Sequence, residues 1–353
     1  MNEADARLAP YDYRLPEGSI ARFPPEARDG GRLLASDGRD WTPHSIASLT
    51  EWFESGDVLV VNDTRVVNAR LFGRRATGGA VEFLVLDPRG DATKAMVRPS
   101  KKIKDGEVIS MLTPAGEPSD HWVRVGPSEP DGSRRIVCSI APMALMAALG
   151  VLPLPPYFGR DAQPEDAHRY QTVFAKEAGA VAAPTASLHL TRDLLRALKE
   201  KGVEIQTLTL HVGAGTFRNL RPHELDDGVL HTERYAIPES TAEAVNRAKA
   251  SGRRVTAVGT TVTRALEAAC MRSAIVRAGP AETDLFIRSG HTFRVVDRLM
   301  TNFHLPKSSL LMLVCAFGGR NHVLDGYDVA VRNGFRFYSY GDAMLLSASV
   351  EAA

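Results

Sequence analysis

The sequence predicts an α/β protein: a layered α/β domain with an inserted small antiparallel β-barrel domain. Three observations carry this. A chain of 353 residues exceeds what one hydrophobic core fills comfortably. Its texture changes after residue 65, where short β-rich runs begin. From residue 142 onward, helical and strand patterns alternate. The expected division is 1–65 with 142–353 for the α/β catalytic domain, and 66–141 for the barrel.

In chain order, VLVVN (58–62) is a short apolar strand leading into the polar cluster Asn62-Asp63-Thr64-Arg65. The runs ARLFGRR, AVEFLVLD, KAMVRPS, EVISMLT, HWVRVG and RRIVCSI follow, separated by Gly, Pro, Asp and Ser. Strands this short, with no helical period between them, suggest a small antiparallel barrel or sandwich. Residues 153–170, PLPPYFGRDAQPEDAHRY, are rich in Pro and charge and read as a long mobile loop with a functional role. TRDLLRALKEKG has a cap candidate in Thr191 and a stop at Gly202, and the buried strand VEIQTLTLHV follows. STAEAVNRAKASG sets Ser240 and Glu243 at capping-box spacing and ends at Gly252. RRVTAVG then reads as a strand and TTVTRALEAACMRSA as the next helix.

Hydrophobic content of 44% and charged content of 24% argue against overall disorder. A net charge of +1 supplies no global field toward nucleic acid. Any RNA contact must come from local cations, and Arg98, Lys101, Lys102 and Lys104 are the candidates, with a solvated hairpin as the plain alternative. Cys138, Cys270 and Cys315 lack metal-ligand spacing, and the last two sit in apolar helical runs as small core residues, which fits a reducing cytoplasm. No signal pattern opens the chain and no run of about 18 apolar residues exists, so a soluble cytoplasmic protein is expected.

Several motifs bear on chemistry. LHVGAGTF (210–217) ends a strand in a Gly-x-Gly turn, yet the third glycine of a dinucleotide fingerprint is missing and RNLRPHELDDG after it reads as turn-like. Gly259, Thr260 and Thr261 open a helix, where unpaired N–H groups favour an anion, although a threonine there also serves as an ordinary cap. No histidine pair has metal-binding spacing, so no metal is expected. His231 and Glu233 stand two apart, so on a strand both face one side and the carboxylate can orient the imidazole. Either then serves as a proton acceptor, with a surface pair as the alternative. No activated nucleophile stands out. TNFHLPKSSLLML (301–313) sets Asn302, His304 and Lys307 before an apolar helix, a loop suited to hold a ligand.

The stretches VNDTRVVNARL (61–71), RPSKKIKDGE (98–107), LPPYFGR (154–160), RYQTVFAKEAGAVAAPTASLH (169–189), TLHVGAGTF (209–217), LHTERY (230–235), AVGTTVTRALE (257–267), ETDLFI (282–287), LMTNFHLPKSSLLMLVCAF (299–317) and FYSYGDAMLL (337–346) occur in one order over nearly the whole chain. Together they resemble the S-adenosylmethionine:tRNA ribosyltransferase-isomerase family of the queuosine pathway. The resemblance implies an α/β domain carrying a barrel near its N-terminal end. It implies transfer of the ribosyl part of S-adenosylmethionine to 7-aminomethyl-7-deazaguanine at the tRNA wobble position. Adenine and methionine leave, epoxyqueuosine forms, and no metal takes part.

For the site, it implies His231, Glu233, Asn302 and His304 in catalysis. S-adenosylmethionine would be held by Asn62, Asp63, Thr64, Arg65, Thr185, His211, Gly213, Gly215, Thr216, Gly259, Thr260, Thr261, Asp284, Thr301 and Asp342. Arg98, Lys101, Lys102 and Tyr170 would meet RNA, and Lys307 the co-substrate or the RNA backbone. The expected state is a monomer, with one cleft shared by the two lobes. Gly228, Ser187, Arg288 and His291 depart from the family's pattern and bear on the acceptor. A relative using S-adenosylmethionine on a small acceptor, and an idle RNA-binding module, are the competing readings.

Overall fold

The computed structural model describes residues 3–88, 93–213, 220, 222–271 and 275–349. Along the chain the strands are β1 (Arg32–Ser36), β2 (Trp41–Ser45), β3 (Val58–Asn62), β4 (Thr64–Val66), β5 (Arg70–Arg74), β6 (Ala80–Val85), β7 (Lys94–Arg98), β8 (Val108–Leu112), β9 (Pro118–Ser128) and β10 (Arg134–Cys138). They continue with β11 (Glu177–Ala180), β12 (Glu204–Leu210), β13 (Val229–Ile237), β14 (Val255–Val258), β15 (Gly279–Leu285), β16 (Arg298–Asn302) and β17 (Ala343–Ser347).

Among the described residues, nine strands form one sheet in the order β15-β13-β12-β3-β14-β16-β17-β1-β2. Its centre, β12-β3-β14-β16, is parallel, and antiparallel strands flank it on both sides. β3 (VLVVN) is buried along its whole length because helices cover both faces, as a parallel centre requires. Gln206 of β12 pairs with Val60 of β3, and Ala257 of β14 pairs with Val60 on the other side. One face packs on the helices Glu239–Ala250, Thr260–Cys270 and Ser309–Gly318, burying Val245, Leu266 and Leu313 with Phe303 and Phe317. The opposite face buries Leu59, Val61, Leu194 and Leu198 against the helix Arg192–Glu200.

The expected barrel is present: β5 to β10 close in the order β10-β7-β6-β5-β8-β9. Period-two alternation builds it, with Val81, Phe83 and Val85 of β6 inside and their neighbours toward solvent. Cys270 and Cys315 are buried in helices as expected.

Local expectations divide. Thr191 caps the helix Arg192–Glu200, its Oγ1 accepting from Leu194 N at 3.1 Å. The capping box at Ser240 and Glu243 does not form; that helix starts at Glu239 after Pro238, so Ser240 lies inside it. Turn-like RNLRPHELDDG contains the short helix Pro222–Asp227. Residues 153–170 are not a loose loop: Phe158 is buried and Arg160 clasps Asp166 at 2.6 and 2.9 Å, while Tyr340 donates to Asp166 at 2.9 Å. Polar composition misleads there because Arg160, Asp166 and Arg169 are used to tie the segment down rather than to solvate it. No helix among the described residues is long and apolar enough to cross a membrane.

Candidate active site

A cleft opens at the carboxyl ends of β14 and β16, where ligands enter open α/β sheets. Gly259 with Thr260 and Thr261 closes one side, Thr301 to His304 another, and Thr185 a third. All its lining residues come from outside β5–β10, so the cleft lies in the α/β part rather than between two lobes. None of them is Asp, Glu, Lys or Arg.

Gly259 sits at φ 94°, a left-handed value that glycine adopts without a Cβ penalty, and this turns the chain from β14 into the helix Thr260–Cys270. Among the described residues no side chain caps that helix start, and Gly259, Thr260 and Thr261 of its first turn line the cleft at the positive end of the dipole. Neither threonine is the cap that the sequence allowed. Thr261 Oγ1 instead accepts from Asn62 Nδ2 at 3.4 Å.

Asn302, at the end of β16, is held on every side. Thr185 Oγ1 donates to its Oδ1 at 2.8 Å, and its Nδ2 reaches His189 Nε2 at 3.3 Å and Asp342 O at 3.4 Å. His304 is buried, and desolvation pushes its pKa down to about 3, so it is neutral at physiological pH. Its Nδ1 has no hydrogen-bond partner among the described residues, while Nε2 lies 3.4 Å from Thr301 Oγ1.

His231 and Glu233 meet as expected: His231 Nε2 stands 3.4 Å from Glu233 Oε1. Burial opposes ionisation of Glu233, but buried Arg264, His231 and the Gly213 N–H outweigh it and hold its pKa at about 2. The pair adjoins the cleft through Val212, which lines it, and Gly213, whose position lies against the His231 ring.

Other expected residues act within the scaffold. Asn62 accepts from Thr64 N and Leu210 N at 3.1 Å each and donates to Leu210 O at 2.9 Å, which joins β3 to β12. Asp63 accepts from Thr209 Oγ1 at 2.6 Å, and Thr64 Oγ1 is 2.8 Å from His211 Nδ1. Asp342 is buried and accepts from Arg32 N at 2.9 Å and Arg336 N at 2.8 Å. Arg65 is exposed. Asp284 lies on β15 in a separate groove with Gly228 and Glu282, away from the cleft. Gly215 and Thr216 fall outside the described residues.

One expectation fails outright. Tyr170 is fully buried against Phe158 and Tyr340 and offers no ring to RNA. Lys307 is half-exposed and pairs through its Nζ with Asp12 at 2.8 Å, outside the lining of the cleft. Arg98, Lys101 and Lys102 are exposed at the end of β7 and the turn after it.

Sequence reasoning missed His189 and Tyr338. Burial lowers the pKa of His189 to about 4, with Asp342 partly opposing and Arg336 and Arg28 assisting. Tyr338 lines the cleft at φ 73°, an uncommon value for a bulky residue, and burial raises its pKa to about 12. In FYSYGD it reads only as one more core aromatic.

A family model described as "Queuosine biosynthesis protein" matches residues 8–346. An S-adenosylmethionine:tRNA ribosyltransferase-isomerase of Trichlorobacter lovleyi is 45% identical over 339 residues, covering 95% of this chain and 98% of its own length. One of Thermus thermophilus is 48% identical over 346 residues, at 96% and 99% coverage. The crystal structure of an S-adenosylmethionine tRNA ribosyltransferase from Thermotoga maritima matches with a TM-score of 0.53 at 30% identity, covering 96% of this chain and 99% of that one. On a match that runs through the sheet, the barrel and the cleft alike, the chain belongs to the queuosine biosynthesis protein family.

Proposed function

We propose that the protein transfers the ribosyl moiety of S-adenosylmethionine to 7-aminomethyl-7-deazaguanine at the tRNA wobble position and isomerises it. Epoxyqueuosine-tRNA forms, and adenine and methionine leave. In this reading residues 1–65 and 142–353 carry the chemistry in the cytoplasm, as a monomer, and 66–141 helps to hold the RNA. The observation that carries the reading is a helix N-terminus, uncapped among the described residues, opening into a cleft whose described lining carries no formal charge.

That N-terminus suits the methionine carboxylate. The Tyr338 ring suits the sulfonium cation. His304 Nδ1 and the Thr185 hydroxyl offer neutral hydrogen-bonding atoms to adenine or ribose. The sulfonium acidifies the adjacent ribose C5′, and His231 takes that proton. Glu233, with a pKa of about 2, is too weak a base at neutral pH and orients His231 instead.

Adenine release should therefore require tRNA bearing the deazaguanine, and His231→Ala should lower it by about 10²–10⁴-fold with folding intact. Unchanged turnover in the folded variant removes the assignment. A second reading is a small-molecule acceptor, raised by the departures from the family's pattern at Gly228 and Arg288, which lie against each other. Arg288 Nη2 lies 2.9 Å from where a Cβ on Gly228 would sit, so arginine fills space beside β13. Adenine release without RNA would select it.

A further inference from the structure

Phe23 is a large apolar side chain left 51% exposed, and the structure invests heavily in holding it still. Single exposed hydrophobics are ordinary; a rigidly built mount for one is not. Phe23 lies in an irregular segment with no helix or strand to fix it. The Arg160 guanidinium covers one face of its ring at 4.3 Å from the centroid, and Arg160 Nε donates to Arg22 O at 2.9 Å. Arg160 is itself locked by Asp166.

Two further arginines stitch the same segment down. Arg169 donates to Pro25 O at 2.6 Å and Glu26 O at 2.9 Å, and Arg28 donates to Gln171 O at 2.8 Å and His168 O at 3.0 Å. The mount stands beside the cleft. Ala21 N donates to Phe337 O at 3.1 Å, and Tyr338 and Ser339, which follow, line the cleft. On the other side Tyr157 joins Ser339 and leads through Phe158 to Arg160.

We propose that Phe23, backed by Arg160, is a stacking platform for a nucleobase of the RNA acceptor, next to the nucleotide that enters the cleft. The inference rests on the function proposed above. Charge does not draw the RNA here, because Glu26, Asp161 and Glu165 are exposed around the arginines. What the mount offers is the free face of a pre-ordered ring, and every base has a π-face to place on it.

The test is direct binding of tRNA carrying the deazaguanine to the full chain, measured at about 50 and 200 mM salt. Phe23→Ala should weaken binding about tenfold to a hundredfold, by the same factor at both salts, because stacking is not ionic. Phe23→Trp should retain affinity, and the KM for S-adenosylmethionine and the melting temperature should stay unchanged in both variants. Wild-type affinity in Phe23→Ala, or a loss that vanishes at the higher salt, overturns the platform and leaves the function standing. A wild-type chain with no affinity for the RNA overturns both.

Discussion

His189 sets a neutral imidazole against Asn302 and His304 another against Thr301, and that choice has a pH signature. Their folded pKa values, about 3 and about 4, lie below the ordinary value of 6.5. Between those limits the unfolded chain binds protons that the folded chain refuses, so stability rises with pH across the window and drains away as pH falls below about 6.5. Thermal melts between pH 7 and pH 4 should show this, and His304→Asn should flatten the slope by up to one proton's worth. An unaltered slope would mean that His304 already charges in the fold. Glu233 behaves separately. Its pKa, depressed from 4.5 to about 2, contributes stability above 4.5 that is lost only on further acidification. Glu233→Gln leaves buried Arg264 without its anion, a change that typically costs about 3–5 kcal/mol. Denaturant titration should register that loss at neutral pH, and a variant as stable as the parent would refute it.

At the scale of elements, what is legible in sequence is what repeats at short range. Each barrel strand carries its own alternation, as Val81, Phe83 and Val85 do, so all six runs are readable one at a time. Thr191 is readable as a cap because capping is local. Ser240 defeats the same logic, since the helix begins at Glu239 with Pro238 at the cap position, which leaves Ser240 inside the first turn. The packing of Tyr170 on Tyr340 and the pairing of Lys307 with Asp12 depend on partners far away in the chain, and no local pattern encodes them. The same holds where the barrel rejoins the sheet. There Arg70 and Val151 exchange backbone hydrogen bonds of 3.3 and 2.9 Å, just after Gly150. A Cβ on Gly150 would lie 1.9 Å from Asn68 O and 2.5 Å from Met146 O, and neither is a side chain that can swing away. Gly150→Ala should cost about 1–3 kcal/mol or more by overpacking. It should lower the melting temperature more than Gly132→Ala, a control glycine with φ 86° and open space around it. Equal losses would show that the barrel junction yields.

For the whole molecule, the cleft and the exposed cations sit on different parts of the chain, and that separation can be measured. The cleft is lined wholly by α/β residues, whereas Arg98, Lys101 and Lys102 project from the barrel. None of the three takes part in an ion pair among the described residues, so their charge is available to a polyanion. With a net charge of +1 the protein has no general attraction to RNA, and a few local phosphate contacts must set the salt dependence of binding. Each phosphate contact contributes about 0.7–0.9 to the slope of log affinity against log salt. Replacing Arg98, Lys101 and Lys102 together by alanine should therefore reduce that slope by about 2 to 3 if all three meet phosphates. Affinity for tRNA should fall most at low salt and converge on the parent's as salt rises. Turnover at saturating tRNA should hold, because no group in the cleft has changed. An identical slope in the triple variant would detach the barrel from the RNA. A fall in saturated turnover would mean that the barrel also orders the cleft, a coupling that the lining residues give no reason to expect.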